Sequence, residues 1–565
     1  MGITCFTSLS SNGCYGQSSH QELFDRERIV QVEIQIEPTD WDLLRKQSRD
    51  PGKAFMGFQE DPFTWFKGRI TIDGKSIDKV GVRKKGFIGS LDENVPSLKI
   101  KFDQYVDQSP VEGINVLTLN NNKQDNSLMS QVLAYDLFNA VGVQAPRCGF
   151  VRVTVNGNDL GLYLNVESIG KSFLQRRYGN RDGFLLEGTL ADFYPKSIHR
   201  LEIKSSKEET TPAKLSKLAE RLASDTNPVD LEAVEQIVDI DNFLRYWAVE
   251  SLIGFWDGYT NNQNNYWVYE NQSNGKLYFM PWGADGAFMG GGFPGFGPRG
   301  PASVYAESML ANRLFHHPQI QNRYLETLRW VLENAWKEDE LIAKIDQLEK
   351  LLMENPHTRQ KNAPQGMRQV RRFIKGRRET IEKELENWPV SVANRPRRPT
   401  YSIPFGSVQG SFQTVWSDKT TQAKGRKGQA EMELQLNGEK AAIDQLSATI
   451  HPTPNQPFGF GPPMPAIPSA DLQLNYTHDG KSKSITLRIK LDDLAKSNGQ
   501  AITVQGAFND NEQGGGPRFG PFGGGKTFEG SLVFAEVSTQ AGQPVSGKFE
   551  LQLAELRGGF MDRAR

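Results

Sequence analysis

A chain of 565 residues exceeds what one hydrophobic core organises, so two or three domains are expected. A formal net charge of −1 gives no bulk electrostatic basis for binding nucleic acid or an anionic membrane. Nowhere do about 18 apolar residues run together, which argues against a transmembrane segment.

Hydrophobic residues at 37% and charged residues at 24% describe a globular protein with ample core material. Its three cysteines, Cys5, Cys14 and Cys148, are too few and too scattered for a zinc site or a disulfide framework. Residues 1–24 have no basic n-region and no long apolar run, so they read as a flexible segment without a visible export signal.

From Arg28, "RIVQVEIQI" alternates Val30, Val32, Ile34 and Ile36 on one face, the pattern of a strand. "PTDWDLLRKQ" then opens a helix, with Thr39 or Asp40 as its N-cap. Asp73-Gly74 and Asn156-Gly157 each stand between apolar runs and predict hairpins. Between them come the strand "PSLKIKF" and a helix through "DNSLMSQVLAYDLFNAVG", giving a mainly antiparallel sheet with one prominent helix. "IDNFLRYWAVESLIGF" (240–255) is apolar on most faces and predicts a buried helix. Short strands "NYWVY" and "KLYFM" follow, then four helical patterns up to Trp388. The basic run "RQVRRFIKGRR" within the last of these reads as a solvated helix face.

Sheet first and helices second is an α+β arrangement with a cleft between the halves. Residues 25–388 are therefore expected as one domain and the Pro/Arg-rich 389–400 as a linker. Alternating segments over 401–565 predict a β-sandwich. Gly/Pro/Phe-rich runs at 290–301, 454–465 and 514–526 cannot bury a core and predict mobile loops.

Phosphoryl transfer needs a cation near the triphosphate, oxygen ligands for a metal, and a carboxylate to orient the acceptor hydroxyl. "WDGYTNNQNNYWVYEN" and "LYFMPWGADGAF" supply Asp257, then Asn262 or Asn265 leading into a strand, then Asp285 after the next strand. This is the order found in protein kinases. Asn265 directly precedes its strand and is the preferred metal ligand, with Asn262 the alternate. Lys99 and Lys101 lie on one face of "SLKIKF", and either could reach phosphates. Glu167 ends "GLYLNVE" and is a candidate adenine-side residue or a plain strand end.

The ordered runs "VRKKGFIGS", "PSLKIKFDQ", "LTLNNNKQDNSLMSQVLAYDLFNAVGVQAPR", "VTVNGNDLGLYLNVESIGKSFL", "WDGYTNNQNNYWVYEN" and "YFMPWGADGAF" resemble the CotH family over roughly residues 25–385. The resemblance implies an atypical protein-kinase fold that phosphorylates secreted or surface proteins on serine or threonine, using ATP and Mg2+ or Mn2+. It also implies that Asp257 is the catalytic-loop aspartate, Asn265 the asparagine before the strand and Asp285 the metal aspartate. An extracellular or cell-surface location follows from the resemblance alone. The chain departs from the family pattern at Gly283, where many members carry a second aspartate. The helix 127–141 offers Gln131 and Asp136 but no glutamate to pair with a phosphate lysine, and "KKGFIGSLDEN" has two glycines where a glycine-rich loop has three. An inactive, kinase-like surface scaffold is the rival expectation, and transfer of a nucleotide rather than a phosphate is a further one.

Overall fold

The computed structural model describes residues 22–557 apart from 50–61, 206–211, 225, 291–299, 355, 399–400, 419–427, 454–468, 498 and 510–525. The three Gly/Pro/Phe-rich runs lie wholly or mostly outside the described residues.

Seven strands build the first unit: β1 (Ile29–Ile36), β2 (Phe66–Ile72), β3 (Lys75–Lys85), β4 (Ser97–Lys101), β5 (Val116–Asn120), β6 (Cys148–Val155) and β7 (Asn158–Val166). They close into a barrel in the order β1-β2-β3-β4-β5-β7-β6, antiparallel except where β6 meets β1. Alternation drives this packing. In β1, Val30, Val32, Ile34 and Ile36 are buried while Gln31, Glu33 and Gln35 face water. The inward set meets Ile70, Val82, Ile100 and Val153 in the barrel interior, and each such side chain contributes about 1.5–3 kcal/mol by leaving water. Alternation predicts the strands but not closure, which depends on which strand pairs with the first. Both predicted hairpins form with positive φ at Asp73, Gly74, Asn156 and Gly157, the condition for a two-residue turn that matches strand twist.

Three local expectations change. The first helix spans Pro38–Lys46 with Glu37 at its N-cap, because Pro38 pre-sets the first helical φ and displaces the cap upstream of Thr39. The helix after β5 runs Ser130–Ala140. Ahead of it the Asp125 carboxylate accepts the backbone N–H groups of Ser127 (2.9 Å) and Ser130 (2.7 Å) and holds the intervening residues in a turn. Glu22–Phe24 form a 3-10 turn whose Leu23 is buried with the barrel core, so order begins before residue 25.

The second half contains the sheet β8 (Leu185–Gly188), β9 (Glu202–Ile203), β10 (Tyr266–Asn271) and β11 (Lys276–Pro281), in the order β11-β10-β8-β9. Beside it lies the helix Ile240–Leu252, whose Phe243, Tyr246 and Trp247 are fully buried, as its all-round apolar sequence predicts. Helices Met309–Phe315, Pro318–Asn334, Glu338–Met353 and Ala363–Leu385 complete one continuous core. The basic run of the last helix is not simply a solvated face. Arg377 is buried and donates to the carbonyls of Ser251 and Leu252, closing the C-terminal end of the helix Ile240–Leu252.

The C-terminal part has β12 (Tyr401–Val415), β13 (Gln429–Leu436), β14 (Glu439–Lys440), β15 (Asp444–Pro452), β16 (Ser469–His478), β17 (Lys481–Lys490), β18 (Ala501–Asn509), β19 (Lys526–Glu536) and β20 (Pro544–Arg557). These hydrogen-bond in one nine-stranded sheet, β14-β13-β12-β20-β19-β18-β17-β16-β15, rather than the two packed sheets of a sandwich. The long pair β12–β20 runs from Tyr401↔Arg557 to Val415↔Pro544 and joins what would have been two sheets. Strand twist accumulated over nine strands brings the ends together. Trp416 bridges to Ile450 and Gly428 to Ala448 around a core that includes Val408, Leu434 and Leu551.

Residues 389–398, read as linker, instead lie along the helical half. Val390 and Val392 pack on its core, Asn312 donates to the Ala393 carbonyl (2.8 Å), and the Arg397 N–H donates to the Glu307 carbonyl (2.7 Å). Proline and arginine content resembles a solvated linker, but it also suits an extended strap that forms no ladder of its own.

Candidate active site

The site grows out of the buried helix Ile240–Leu252. Near its end Glu250, fully buried, accepts the backbone N–H groups of Tyr259 and Thr260, the Thr260 hydroxyl and the Tyr246 hydroxyl. Those contacts fold residues 254–258 back and start the short helix Tyr259–Asn262. A Cβ at Gly258 would stand 2.3 Å from the Glu250 carboxylate, so only glycine permits the approach. Burial pushes the Glu250 carboxyl up to about 7, against the pull of its four donors.

The asparagines of this loop serve one carboxylate. Asp257 Oδ1 accepts from the amides of Asn262 (2.5 Å) and Asn264 (3.1 Å), and its Oδ2 accepts from Asn265 (2.8 Å). Burial raises the Asp257 carboxyl above the usual range, and these three amides pull it back. Gln263 and Asn265 both take positive φ, 55° and 52°, which turns consecutive amides toward the aspartate. A carboxylate oriented by three amide donors keeps a fixed direction, as a residue positioning a hydroxyl must.

Strand register brings the second aspartate to the same place. Tyr266 pairs with Pro281, and the Trp282 N–H donates to the Asn265 carbonyl (3.0 Å), so the residue before β10 and the residues after β11 are neighbours. Gly283 adopts φ +53°, and a Cβ there would lie 2.9 Å from Asn265 Oδ1. The side chain this chain lacks at 283 would therefore strike the asparagine. Asp285 follows in a 3-10 turn against which the helix Ser130–Ala140 packs. Its carboxyl is pushed up to about 7 by burial and then by the Asp125 and Asp257 carboxylates, with Lys85 opposing.

Such a carboxylate, crowded by like charges, is set to gain from a cation. Asn265 spends its amide nitrogen on Asp257, and its Oδ1 makes no hydrogen bond among the described residues. Asn262 spends both ends, its nitrogen on Asp257 and its oxygen on Arg397 (2.8 Å). Asp285 and Asn265 Oδ1 are thus the two oxygens at this turn that could hold a magnesium ion completed by phosphates and water. No cluster of three or more His, Cys, Asp or Glu that could hold a metal occurs among the described residues.

The lysines divide along β3 and β4. Lys99 pairs with Arg83 and Lys101 with Gly81, so moving from Lys101 toward Ser97 leads to Lys85. Lys85 stands four residues along β3 from Gly81, about 13 Å of strand. Burial and the Lys99 charge press its pKa down to about 8, and Asp285 and Glu187 oppose them. The barrel end therefore brings Lys85 within electrostatic reach of Asp285, with Lys99 close enough to act on Lys85. Lys101, farther along β4 from Lys85, lies instead beside Asp103 (3.8 Å) on a partly exposed face. Glu167 is held by Arg147, through its backbone N–H and guanidinium, and by Arg176, so this carboxylate clamps the ends of β6 and β7.

Sequence reading missed Lys85, Asp125 and Arg397. Lys85 had a signal in "VRKKG": alternation sends Lys84 inward to the Arg45 carbonyl and its neighbour to the opposite face. Asp136, considered as a partner for a lysine, pairs with Arg26 and Lys344. Gln131 is buried, and the Tyr135 hydroxyl donates to its Oε1 (3.4 Å).

An aspartate held by loop amides, a second aspartate after the next strand and a lysine on the preceding barrel stand in the order that protein kinases use. The chain belongs to the CotH family, whose model, described as CotH kinase protein, matches residues 82–388. It is 23% identical over 262 residues to inner spore coat protein H of Bacillus subtilis (strain 168), covering 43% of this chain and 71% of that protein. It is 24% identical over 257 residues to invasin CotH2 of Rhizopus delemar, covering 40% of this chain and 43% of the invasin. A solved complex of HipA, HipB and operator DNA from Shewanella oneidensis MR-1 aligns at 9% identity and TM-score 0.27, over 54% of this chain and 67% of that one. At that score the likeness carries no argument. No helix among the described residues is long and apolar enough to cross a membrane.

Proposed function

We propose that the chain transfers the γ-phosphate of ATP, with Mg2+ or Mn2+, to serine or threonine hydroxyls of proteins. The observation that carries this reading is the convergence of Asp257, Asn265 and Asp285 through one hairpin register. In this reading Asp257 accepts the hydroxyl hydrogen bond and directs the oxygen lone pair at phosphorus. Asn265 Oδ1 and Asp285 hold the metal, which when bound neutralises phosphate charge. Lys85, with Lys99, draws the phosphates to the barrel end. The names of the spore-coat and invasin relatives support an extracellular or cell-surface site of action, and an exported or surface protein is the substrate that would be met there.

A non-catalytic scaffold has one observation in its favour: the chain carries Gly283 where the CotH resemblance implies a second aspartate. Thermal unfolding of the full chain with ATP and millimolar magnesium or manganese separates the readings. A metal-dependent rise in melting temperature, lost in Asp285→Ala, is expected; no shift with either metal would favour the scaffold.

A further inference from the structure

Arg397 lies nine residues beyond the end of the family match, in the strap that leads to the C-terminal sheet, yet only 8% of its surface is exposed. Its Nη1 donates to Asn262 Oδ1 (2.8 Å), its Nε to Gln263 Oε1 (3.1 Å), and its Nη2 to the Asn262 carbonyl. The other ends of the same two amides reach carboxylates. Asn262 Nδ2 donates to Asp257 (2.5 Å), and Gln263 Nε2 donates to Asp192 (2.7 Å) and to the Arg397 carbonyl. A buried guanidinium is thereby flanked by the buried Asp192 and the half-buried Asp257 carboxylates, each one amide away. The cation fixes both amides with oxygen toward itself and N–H toward the acid.

The strap is held at several points. Trp388 stacks on Tyr324 (6.1 Å between ring centroids), and the Tyr194 hydroxyl donates to the Pro396 and Arg397 carbonyls (3.4 Å each). With the Ala393 and Glu307 contacts already described, these fix where the guanidinium enters. Its placement serves the loop as well as the strap, since Nε, Nη1 and Nη2 each donate to Asn262 or Gln263.

We propose that Arg397 is a positioning residue for Asp257, acting through Asn262, so that the functional unit of this chain extends past the family domain to the strap. Without the guanidinium, Asn262 has no partner to hold its oxygen away from Asp257, and Asp257 Oδ1 loses one of its two donors. The carboxylate then turns away from the direction that suits an acceptor hydroxyl. The metal pair does not depend on this link, because Asn265 donates to the other carboxylate oxygen.

The test uses the full chain and the variants Arg397→Ala and Arg397→Lys. Hydrogen exchange of residues 257–265 needs no catalytic activity, so this arm stands apart from the kinase reading. Faster exchange there in Arg397→Ala, with the helix Ile240–Leu252 still protected, is expected. The kinetic arm rests on the phosphotransfer reading. In it kcat should fall by about ten- to a hundredfold, as for loss of a hydrogen bond to a charged group, with KM for ATP within about twofold. Millimolar guanidinium should restore part of kcat in Arg397→Ala, and lysine should restore part of it by returning the charge. Unchanged exchange in the loop would overturn the proposal whether or not the wild type phosphorylates anything. A rise in KM at constant kcat would overturn it by making Arg397 a nucleotide contact. Loss of protection throughout, without rescue, would reduce it to a fold contact. If Arg397→Ala does not fold, Arg397→Lys decides by the same loop exchange and kcat readouts.

Discussion

At the scale of single residues, the two aspartates differ in what surrounds them, and their variants should differ accordingly. Asp257 is directed by three amides, whereas Asp285 sits among like charges, two residues past the glycine that abuts Asn265. Asp257→Ala should lower kcat by about 10²–10⁴-fold while leaving ATP binding nearly intact. Asp285→Ala should abolish magnesium-dependent ATP binding and turnover together, as calorimetry and initial rates would show. Asn265→Ala should follow Asp285→Ala. Asn262→Ala should resemble Arg397→Ala, because Asn262 links that guanidinium to Asp257. Glu250 gives a separate prediction. Its carboxyl is raised from 4.5 to about 7 by burial, so the folded state favours the protonated form. Its stabilising contribution is complete below the unfolded value and is lost as pH rises through about 7. Between about pH 5 and pH 8 the melting temperature of the wild type should therefore fall more than that of Glu250→Gln. Parallel profiles would show that Glu250 does not titrate in this range.

Among the elements, the β10–β11 hairpin carries the site, since its register alone sets Asn265 beside Gly283 and leads to Asp285. That much was legible in the sequence, because a short hairpin fixes the separation of its two ends locally. The barrel was legible as strands but not as a barrel, because alternation marks faces and does not name partners. Lys85 was hidden for the same reason: only the pairing of Lys85 with Ser97 and of Arg83 with Lys99 reveals which lysines share the end near Asp285. Arg397 carried no signal at all, its partners lying more than 130 residues away in the chain. The pairing yields a prediction. Lys85→Ala should raise KM for ATP by about tenfold or more, and Lys101→Ala should change it by less than about twofold. The reverse order in steady-state kinetics would return the phosphate role to Lys101.

For the molecule as a whole, the C-terminal sheet keeps a core of its own, sharing no residue with those of the barrel and helical halves. A fragment of residues 22–398 should therefore unfold cooperatively without the sheet. Ending it at residue 388 removes the strap and Arg397, and its melting temperature should be lower by roughly 5 °C or more. Equal stability of the two fragments would return residues 389–398 to the status of a linker. The most direct test of the central claim is phosphotransfer by the full chain. Wild type and Asp257→Asn would be incubated with ATP, magnesium or manganese and a generic acceptor protein, and the product mapped by mass spectrometry. The account predicts metal-dependent phosphoserine or phosphothreonine with the wild type and almost none with Asp257→Asn. Equal labelling by both proteins, or none by wild type that binds ATP and metal, would contradict it.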